Sequence, residues 1–440
     1  MSAVTTTRFI KKSVVSIKME IELLKRIITD QRKELEELLK SHILKRDNLD
    51  YAKKFLKYPN ILAILGVRRC GKSIFSGLLA KELKENFTYI NLDDDRLIGL
   101  KTEDLDKILQ ASYELYGEIN LIILDEIQNA KGWELFVNRI RRTKKVIITG
   151  SNSNLLSGEL ATHLTGRYID LTLYPFSFKE IIGFKPNENL TEDIAKTKNQ
   201  LNKYMKESGF PEFMKFGSSI IERTYNDIVA KDCLNRYNIK NKKTFKELAN
   251  YLVSNFSEEY TYSKLSNIFN IKDVHTTKNY IEYLKEAFLL ISVDRFSYKL
   301  KQQIIAPKKI YAIDHGICNF LSFRLSKDTG RIMENIVCIE LNRKKVLKNK
   351  LEIYYWKDHQ QNEVDFVIKK EKNVDELIQV CHDVSDYKTK KREINSLIKA
   401  SKELRCSKLS IITWEYEKEE TAGKKKIKFI PLWKWLLQSN

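Results

Sequence analysis

Eight residues near the start of the chain restrict its fold more than any other feature. Gly66-Val67-Arg68-Arg69-Cys70-Gly71-Lys72-Ser73 has the spacing GxxxxGK[ST], and it lies between an aliphatic run, Ile61–Leu65, and a helix-forming run, Ile74–Leu83. That strand–loop–helix setting is what gives the spacing its chemistry. The two glycines let the backbone curl so that successive N–H groups face a phosphate chain, and the start of the helix adds its partial positive charge. Lys72 then reaches the β- and γ-phosphates, and the Ser73 hydroxyl can ligate Mg²⁺. Nucleotide contacts are therefore expected along Gly66, Val67, Arg68, Arg69, Cys70, Gly71, Lys72, Ser73 and Ile74.

Further apolar runs follow at Phe87–Asn91, Leu121–Leu124, Val146–Thr149 and Ile169–Leu173, separated by helix-like segments. This alternation predicts a parallel sheet with crossover helices, and the uninterrupted runs predict that both sheet faces are covered. The third run ends in Asp125-Glu126. There Asp125 can hold Mg²⁺, and Glu126 can polarise the attacking water as a general base. The fourth run ends in Thr149-Gly150-Ser151-Asn152. Ser151 or Asn152 can bond the γ-phosphate or the lytic water; a turn capping the next helix explains them equally well. A helical stretch over Leu155–Leu164 is expected next, and Arg167 precedes the last strand. An arginine there can approach a neighbouring subunit's γ-phosphate, or it can form a surface ion pair.

The remaining evidence bears on compartment and partners. The six cysteines (Cys70, Cys233, Cys318, Cys338, Cys381 and Cys406) show neither CxxC nor zinc-site spacing, so they read as reduced cytosolic thiols. Met1 to Lys12 is polar and basic without an apolar run behind it, and no run approaches the ~20 apolar residues of a membrane span. A cytoplasmic protein without membrane contact is expected. Lys plus Arg number 78 against 58 Asp plus Glu, a net charge of +20 that suits a polyanion partner without naming it. Residues 14–40 are charged and helix-forming, with Ile21, Leu24, Ile28, Leu35 and Leu38 on one seam and Gln31 in the remaining seam position. That pattern fits a helix docked on its own domain, or a short coiled coil with another chain.

Together the segments GVRRCGKS, LIILDEIQ, TGSNSNLLSGELATHLTGRY, YPFSF, SGFPEF and KDCLNRY resemble an archaeal-type ATPase of the AAA+ class, close to the signal-transducing STAND ATPases. The resemblance spans roughly residues 40 to 440. It implies that Lys72 and Ser73 bind triphosphate and Mg²⁺, that Asp125 holds the metal, and that Glu126 activates water. It makes Ser151 a sensor and Arg167 an arginine finger, and it likens Gly209-Phe210-Pro211 to a G-x-P element that contacts nucleotide, bringing Pro211 into the site. A sensor arginine of the lid has no clear counterpart.

In the C-terminal half, helical patterns at Phe245–Phe256, Ser263–Phe269 and Val274–Ala287 precede strand-like runs at Leu289–Val293 and Ile304–Ala312. Three helices and a β-ribbon suggest a winged helix-turn-helix, with His275, Thr276, Thr277 and Lys278 facing a groove, or a protein-docking version of it. Residues 331–440 resemble a restriction-endonuclease-like fold, through Glu334, Glu363-Val364-Asp365 and Gln379-Val380-Cys381. In that resemblance Gln379 stands where an acid should be and Cys381 where a lysine should be, which predicts an inactive nuclease.

The expected fold class is α/β: a P-loop NTPase parallel sheet of AAA+ type with a helical lid, then a winged helix and a restriction-endonuclease-like domain. The expected divisions are a helical segment at 1–50, the ATPase core at 51–182, the lid at 183–240, the winged helix at 241–312 and the nuclease-like domain at 313–440. The expected function is Mg²⁺-dependent ATP hydrolysis that controls a C-terminal DNA- or protein-binding module. DNA is a candidate partner through residues 241–440, and a second copy of the chain is another. The alternatives are a nucleotide-gated scaffold with little turnover and an ATP-dependent nuclease.

Overall fold

The computed structural model describes residues 20–40, 43–156, 166–322, 329–348 and 350–438. The expected polar start and most of the expected helix Leu155–Leu164 lie outside the described residues.

Five strands form a parallel sheet: β1 (Ile61–Leu65), β2 (Phe87–Asn91), β3 (Leu121–Asp125), β4 (Lys145–Gly150) and β5 (Tyr168–Thr172), in the order β2-β3-β4-β1-β5. Helices α1 (Ile21–Leu38), α2 (Leu49–Phe55), α3 (Lys72–Leu83), α4 (Asp104–Tyr116) and α5 (Trp133–Ile140) surround it. The strands are apolar throughout because alternate residues serve two cores. Ile61, Ala63, Ile122, Leu124, Val146 and Ile148 pack with Leu105 and Ile108 of α4 and with Phe136 and Val137 of α5. Leu62, Ile64, Ile123 and Ile147 pack with Phe75 and Leu79 of α3. A strand with two buried faces has no polar positions to alternate.

Helix α1 belongs to this domain. Leu24, Ile27 and Ile28 lie in the α4–α5 core. Gln31 lies against β2: its Nε2 donates to the Asn91 carbonyl at 3.1 Å, and its Oε1 accepts from the Asn91 N–H at 2.8 Å. The seam reads correctly as a docked helix, although Leu38 is exposed. The 50/51 division therefore cuts through a packed unit.

Residues 178–240 are mainly helical and include a π-helical stretch, Ile228–Asn235. Helices Lys242–Ser254, Tyr262–Ile268 and Val274–Glu286 follow. A second, mixed sheet of nine strands then forms. Its strands are β6 (Glu259–Tyr260), β7 (Leu290–Arg295), β8 (Lys308–Ala312), β9 (Leu351–Lys357), β10 (Glu363–Lys370), β11 (Asn373–Val380), β12 (Leu409–Thr413), β13 (Lys418–Ala422) and β14 (Lys425–Pro431). The order is β13-β14-β12-β11-β10-β9-β7-β8-β6. The hairpin β7–β8 joins it through parallel pairing of Asp294 and Arg295 with Tyr354 and Tyr355. The sheet thus runs unbroken across the 312/313 division.

Two local expectations are corrected. Ile304 and Ile305 end a short helix, Leu300–Ile305, and the strand begins only at Lys308. Pro307 has no N–H to give a ladder, so the strand starts beyond it. Thr277 does not face a groove: it is buried, with its hydroxyl 2.8 Å from that of Ser266. His275 and Lys278 are exposed.

Candidate nucleotide site

The loop between β1 and α3 is fixed by two glycines. A Cβ on Gly66 would stand 2.2 Å from the Leu173 carbonyl oxygen, and Gly71 has φ +95°. Both positions shut out other residues, one by space and one by backbone conformation. Val67 buries its side chain in the core. Cys70 is also buried, which pushes its thiol up. Ile74 sits half-buried in the first turn of α3.

Lys72 is 5% exposed and donates to the carbonyls of Gly66 and Val67 at 3.1 and 3.3 Å. Its Nζ is 3.5 Å from Glu126 Oε1. Burial opposes the ammonium charge, but Glu126 and Asp125 outweigh it and hold Lys72 above its ordinary range. Ser73 Oγ donates to Asp125 Oδ2 at 2.6 Å. Tyr89 of β2 donates to the same oxygen at 2.7 Å, and Thr149 of β4 donates to Oδ1. Burial, and then the charge of Glu126, push the Asp125 carboxyl above its ordinary range despite these hydroxyls. Burial works on Glu126 in the same direction, yet Lys72, a bond from Gln128 and the charge of Arg68 bring its carboxyl below the ordinary range. A Glu126 carboxylate held ionised in this way is free to accept a proton.

The structure brings Lys72, Ser73, Asp125 and Glu126 into one bonded cluster at the C-terminal ends of β1 and β3. Ser151 and Asn152 serve other partners. Ser151 Oγ donates to Asp232 Oδ1 at 3.0 Å. Asn152 accepts from the Asn154 N–H at 2.6 Å and donates to Tyr237 Oη at 2.8 Å, so it forms the expected turn. Pro211 lies beside the loop, 3.6 Å from where a Gly71 Cβ would stand. Arg167 lies elsewhere. It precedes Tyr168, which pairs with Ile61 at the start of β1, whereas the phosphate loop follows Leu65 at its end. Five residues of strand put about 15 Å between them. Arg167 bonds Asn138 at 3.2 Å.

Several residues of the site carried no sequence signal. Arg46, buried, donates to the Cys70 carbonyl and, at 3.0 Å, to the Tyr174 carbonyl; its guanidinium stacks 3.7 Å from the Phe176 ring centroid. Glu180 pairs with it at 3.4 Å. Asp314 accepts from Ser208 Oγ at 2.7 Å and the Gly209 N–H at 2.8 Å, so it holds the turn that carries Pro211. Of the segments quoted for their resemblance, GVRRCGKS, YPFSF and SGFPEF supply partners of Arg46 and Asp314, but none contains Arg46, Glu180 or Asp314.

In the second sheet, Lys309 occupies the centre of the expected nuclease acids. Its Nζ lies 2.9 Å from Glu334, 2.6 Å from Glu363 and 3.0 Å from Asp365. Gln379 accepts from the Asp365 N–H and donates to Glu393, and Cys381 donates to the Asp383 carbonyl. Burial, and then Glu393, push the Cys381 thiol up to about 11. Among the described residues, no group of three or more His, Cys, Asp or Glu could hold a metal ion.

A parallel sheet, a glycine-bearing phosphate loop and paired acids on the neighbouring strand define a P-loop nucleoside-triphosphate-binding protein. Residues 58–182 match an AAA domain, and residues 198–329 and 329–435 match two domains of unknown function, DUF8612 and DUF4143. The uncharacterized protein MJ1544 of Methanocaldococcus jannaschii is 37% identical over 423 residues, which cover 89% of this chain and 93% of that protein. An uncharacterized protein of Haemophilus influenzae is 29% identical over 420 residues, 90% of this chain and 99% of its own. The chain belongs to the archaeal-type AAA+ ATPase family that MJ1544 represents. Among solved structures it is similar to the Thermotoga maritima RuvB Holliday junction branch migration motor, at 16% identity and a TM-score of 0.28 over 61% of this chain and 93% of that one. It is also similar to a STAND protein with a tetratricopeptide repeat sensor from Pyrococcus horikoshii, at 16% identity and 0.26 over 69% of this chain and 46% of that one. No described helix is long and apolar enough to cross a membrane.

Proposed function

We propose that the chain binds ATP with Mg²⁺ and hydrolyses it, and that nucleotide state sets the position of the C-terminal module. The carrying observation is the single bonded cluster of Lys72, Ser73, Asp125 and Glu126. Mg²⁺ takes hard oxygen ligands and fills its remaining positions with phosphate and water. The Ser73–Asp125 pair suits it, and a cation there would relieve a carboxylate that burial disfavours. When bound, the metal offsets charge on the β- and γ-phosphates. Lys72 binds those phosphates, and Glu126 takes a proton from the attacking water.

The route to the C-terminal module is short. Pro211 lies beside the loop, whose Arg69 pairs with Glu212 at 2.7 Å; Ser208 and Gly209 hang from Asp314, the second residue after β8. DNA is the partner we assign to the module, through the exposed Tyr298, Lys299 and Lys301 between β7 and β8, where a ring and two cations suit bases and phosphates. Other basic clusters are less available: Lys308 pairs with Asp294, Lys309 is buried, and Lys390 pairs with Glu420. The bonds of Gln379 and Cys381 favour an inactive nuclease fold.

The test is steady-state hydrolysis with and without Mg²⁺, alongside calorimetric binding. Lys72→Ala should abolish ATP uptake. Glu126→Gln should bind ATP and lose about 10²–10⁴-fold in rate. Uptake unchanged by Lys72→Ala refutes the reading. Uptake with wild-type turnover no faster than Glu126→Gln leaves a nucleotide-gated switch.

A further inference from the structure

Arg68 points its charge across the phosphate loop at the lid. Its Nε donates to Asp232 Oδ2 at 2.8 Å and its Nη2 to Oδ1 at 3.1 Å, a bidentate pair. Asp232 lies in the π-helical stretch and is 1% exposed. It also accepts from Ser151 Oγ at 3.0 Å and lies 3.6 Å from Arg236 Nη2. One buried carboxylate thus ties together the loop, the end of β4 and two guanidinium groups. The pair uses Nε and Nη2 and leaves Nη1, whose neighbour Asp93 stands 4.0 Å away. Arg68 thus lies in the loop itself and is tied through Asp232 to the end of β4, the strand paired with the one that ends in Asp125-Glu126, while Arg167 stands at the far end of the sheet.

We propose that Arg68 is a catalytic residue for hydrolysis, meeting the charge that develops on the γ-phosphate from within the same chain, and that Asp232 is its positioning residue. This rests on the ATPase reading above. In the step, the water oxygen bonds to the γ-phosphorus as the bond to the bridging oxygen breaks. The bridging electron pair stays on ADP, and the water's proton passes to Glu126. Arg68 exchanges no proton. It is aimed beforehand by Asp232, so its stabilisation needs no reorganisation as charge builds.

The test is single-turnover hydrolysis by the full chain, with ATP and ADP·aluminium fluoride affinities by calorimetry and melting of each unliganded variant as a fold control. Arg68→Ala should lose on the order of 10³-fold in rate with ATP affinity little changed, and should lose its preference for ADP·aluminium fluoride over ADP. Arg68→Lys should recover part of the rate. Asp232→Asn should lower kcat and leave KM in place. The wild-type rate per chain should stay constant on dilution. If Arg68→Ala fails to fold, Arg68→Lys and Asp232→Asn carry the test, and wild-type kcat in both overturns the proposal. A wild-type rate in a folded Arg68→Ala also overturns it. So does a rate that rises with protein concentration and collapses in Arg167→Ala. Absence of wild-type turnover refutes the ATPase reading and this proposal together, whereas turnover indifferent to Arg68 refutes this proposal alone.

Discussion

Replacing Lys309 with methionine tests the electrostatics of the second sheet. Lys309 is 3% exposed and lies within 3.0 Å of Glu334, Glu363 and Asp365; Lys357 shares Glu363 at 3.1 Å. Methionine keeps the length of the side chain and removes the ammonium. Deleting one partner of a buried ion pair costs about 3–5 kcal/mol, because the remaining charges lose compensation. With an m-value of ~3 kcal/mol/M, the urea midpoint should fall by roughly 1–2 M at about pH 8. The loss should shrink at about pH 5.5, and the sign follows from linkage. Burial, and then Asp365, already raise the Glu334 carboxyl from 4.5 to about 7 in the wild type. The folded state therefore binds more protons than the unfolded chain between those values, and stability falls as pH rises through them. Without the ammonium, the carboxyls rise further, so the variant's stability falls more steeply with pH. Unfolding followed by fluorescence of Trp356, Trp414, Trp433 and Trp435 reads the midpoints. An equal loss at both pH values would mean that packing, not charge, sets the cost.

Other outcomes follow from the same geometry. Arg46→Met leaves buried Glu180 with only the more distant Arg343, at 3.9 Å, as a cation and frees the Cys70 carbonyl, so it should destabilise the protein by about 3 kcal/mol and weaken ATP binding in a titration. Asp314→Ala leaves Ser208 Oγ and the Gly209 N–H without their acceptor, at about 1–3 kcal/mol each, and the loosened Pro211 turn should raise KM for ATP. Because Lys72, Gln128 and Arg68 outweigh burial at Glu126, its carboxylate stays ionised below the ordinary glutamate range. The acid limb of the kcat profile should therefore lie below about pH 4.5, and Gln128→Ala should move it upward.

What could be read in the sequence was local. Gly66 to Ser73, Asp125 and Glu126 announce themselves because their chemistry fixes their spacing on one strand or at one helix start. The sheet was readable for the same reason: two covered faces leave uninterrupted aliphatic runs. Arg46 and Asp314 gave no such signal, and Asp232 was marked only as part of KDCLNRY, with no role attached. Each acquires its role from partners 24 to 164 positions away. The nuclease-like pattern shows the same limit. Gln379 and Cys381 can be read off their strand, but no spacing places Lys309, on β8, among Glu334, Glu363 and Asp365. The expected domain divisions follow changes in composition, whereas the second sheet is continuous through backbone pairing, which composition does not record.

The same device recurs where distant segments meet. Asp232 joins the loop, β4 and the π-helical stretch; Asp314 joins the Pro211 turn to the residues after β8; Lys309, on β8, joins three acids around the second sheet. Apolar contacts tolerate small slips, because their energy follows area. A desolvated ion bonded by several donors does not, because each bond is directional and an unpaired buried charge is costly. Segments joined this way move together or separate outright. Pro211, Asp314 and Lys309 mark such a series from the phosphate loop to the centre of the second sheet, and its loop end is anchored in the same way, because Arg69 of the loop pairs with Glu212, next to Pro211, at 2.7 Å and with Asp227 at 3.1 Å.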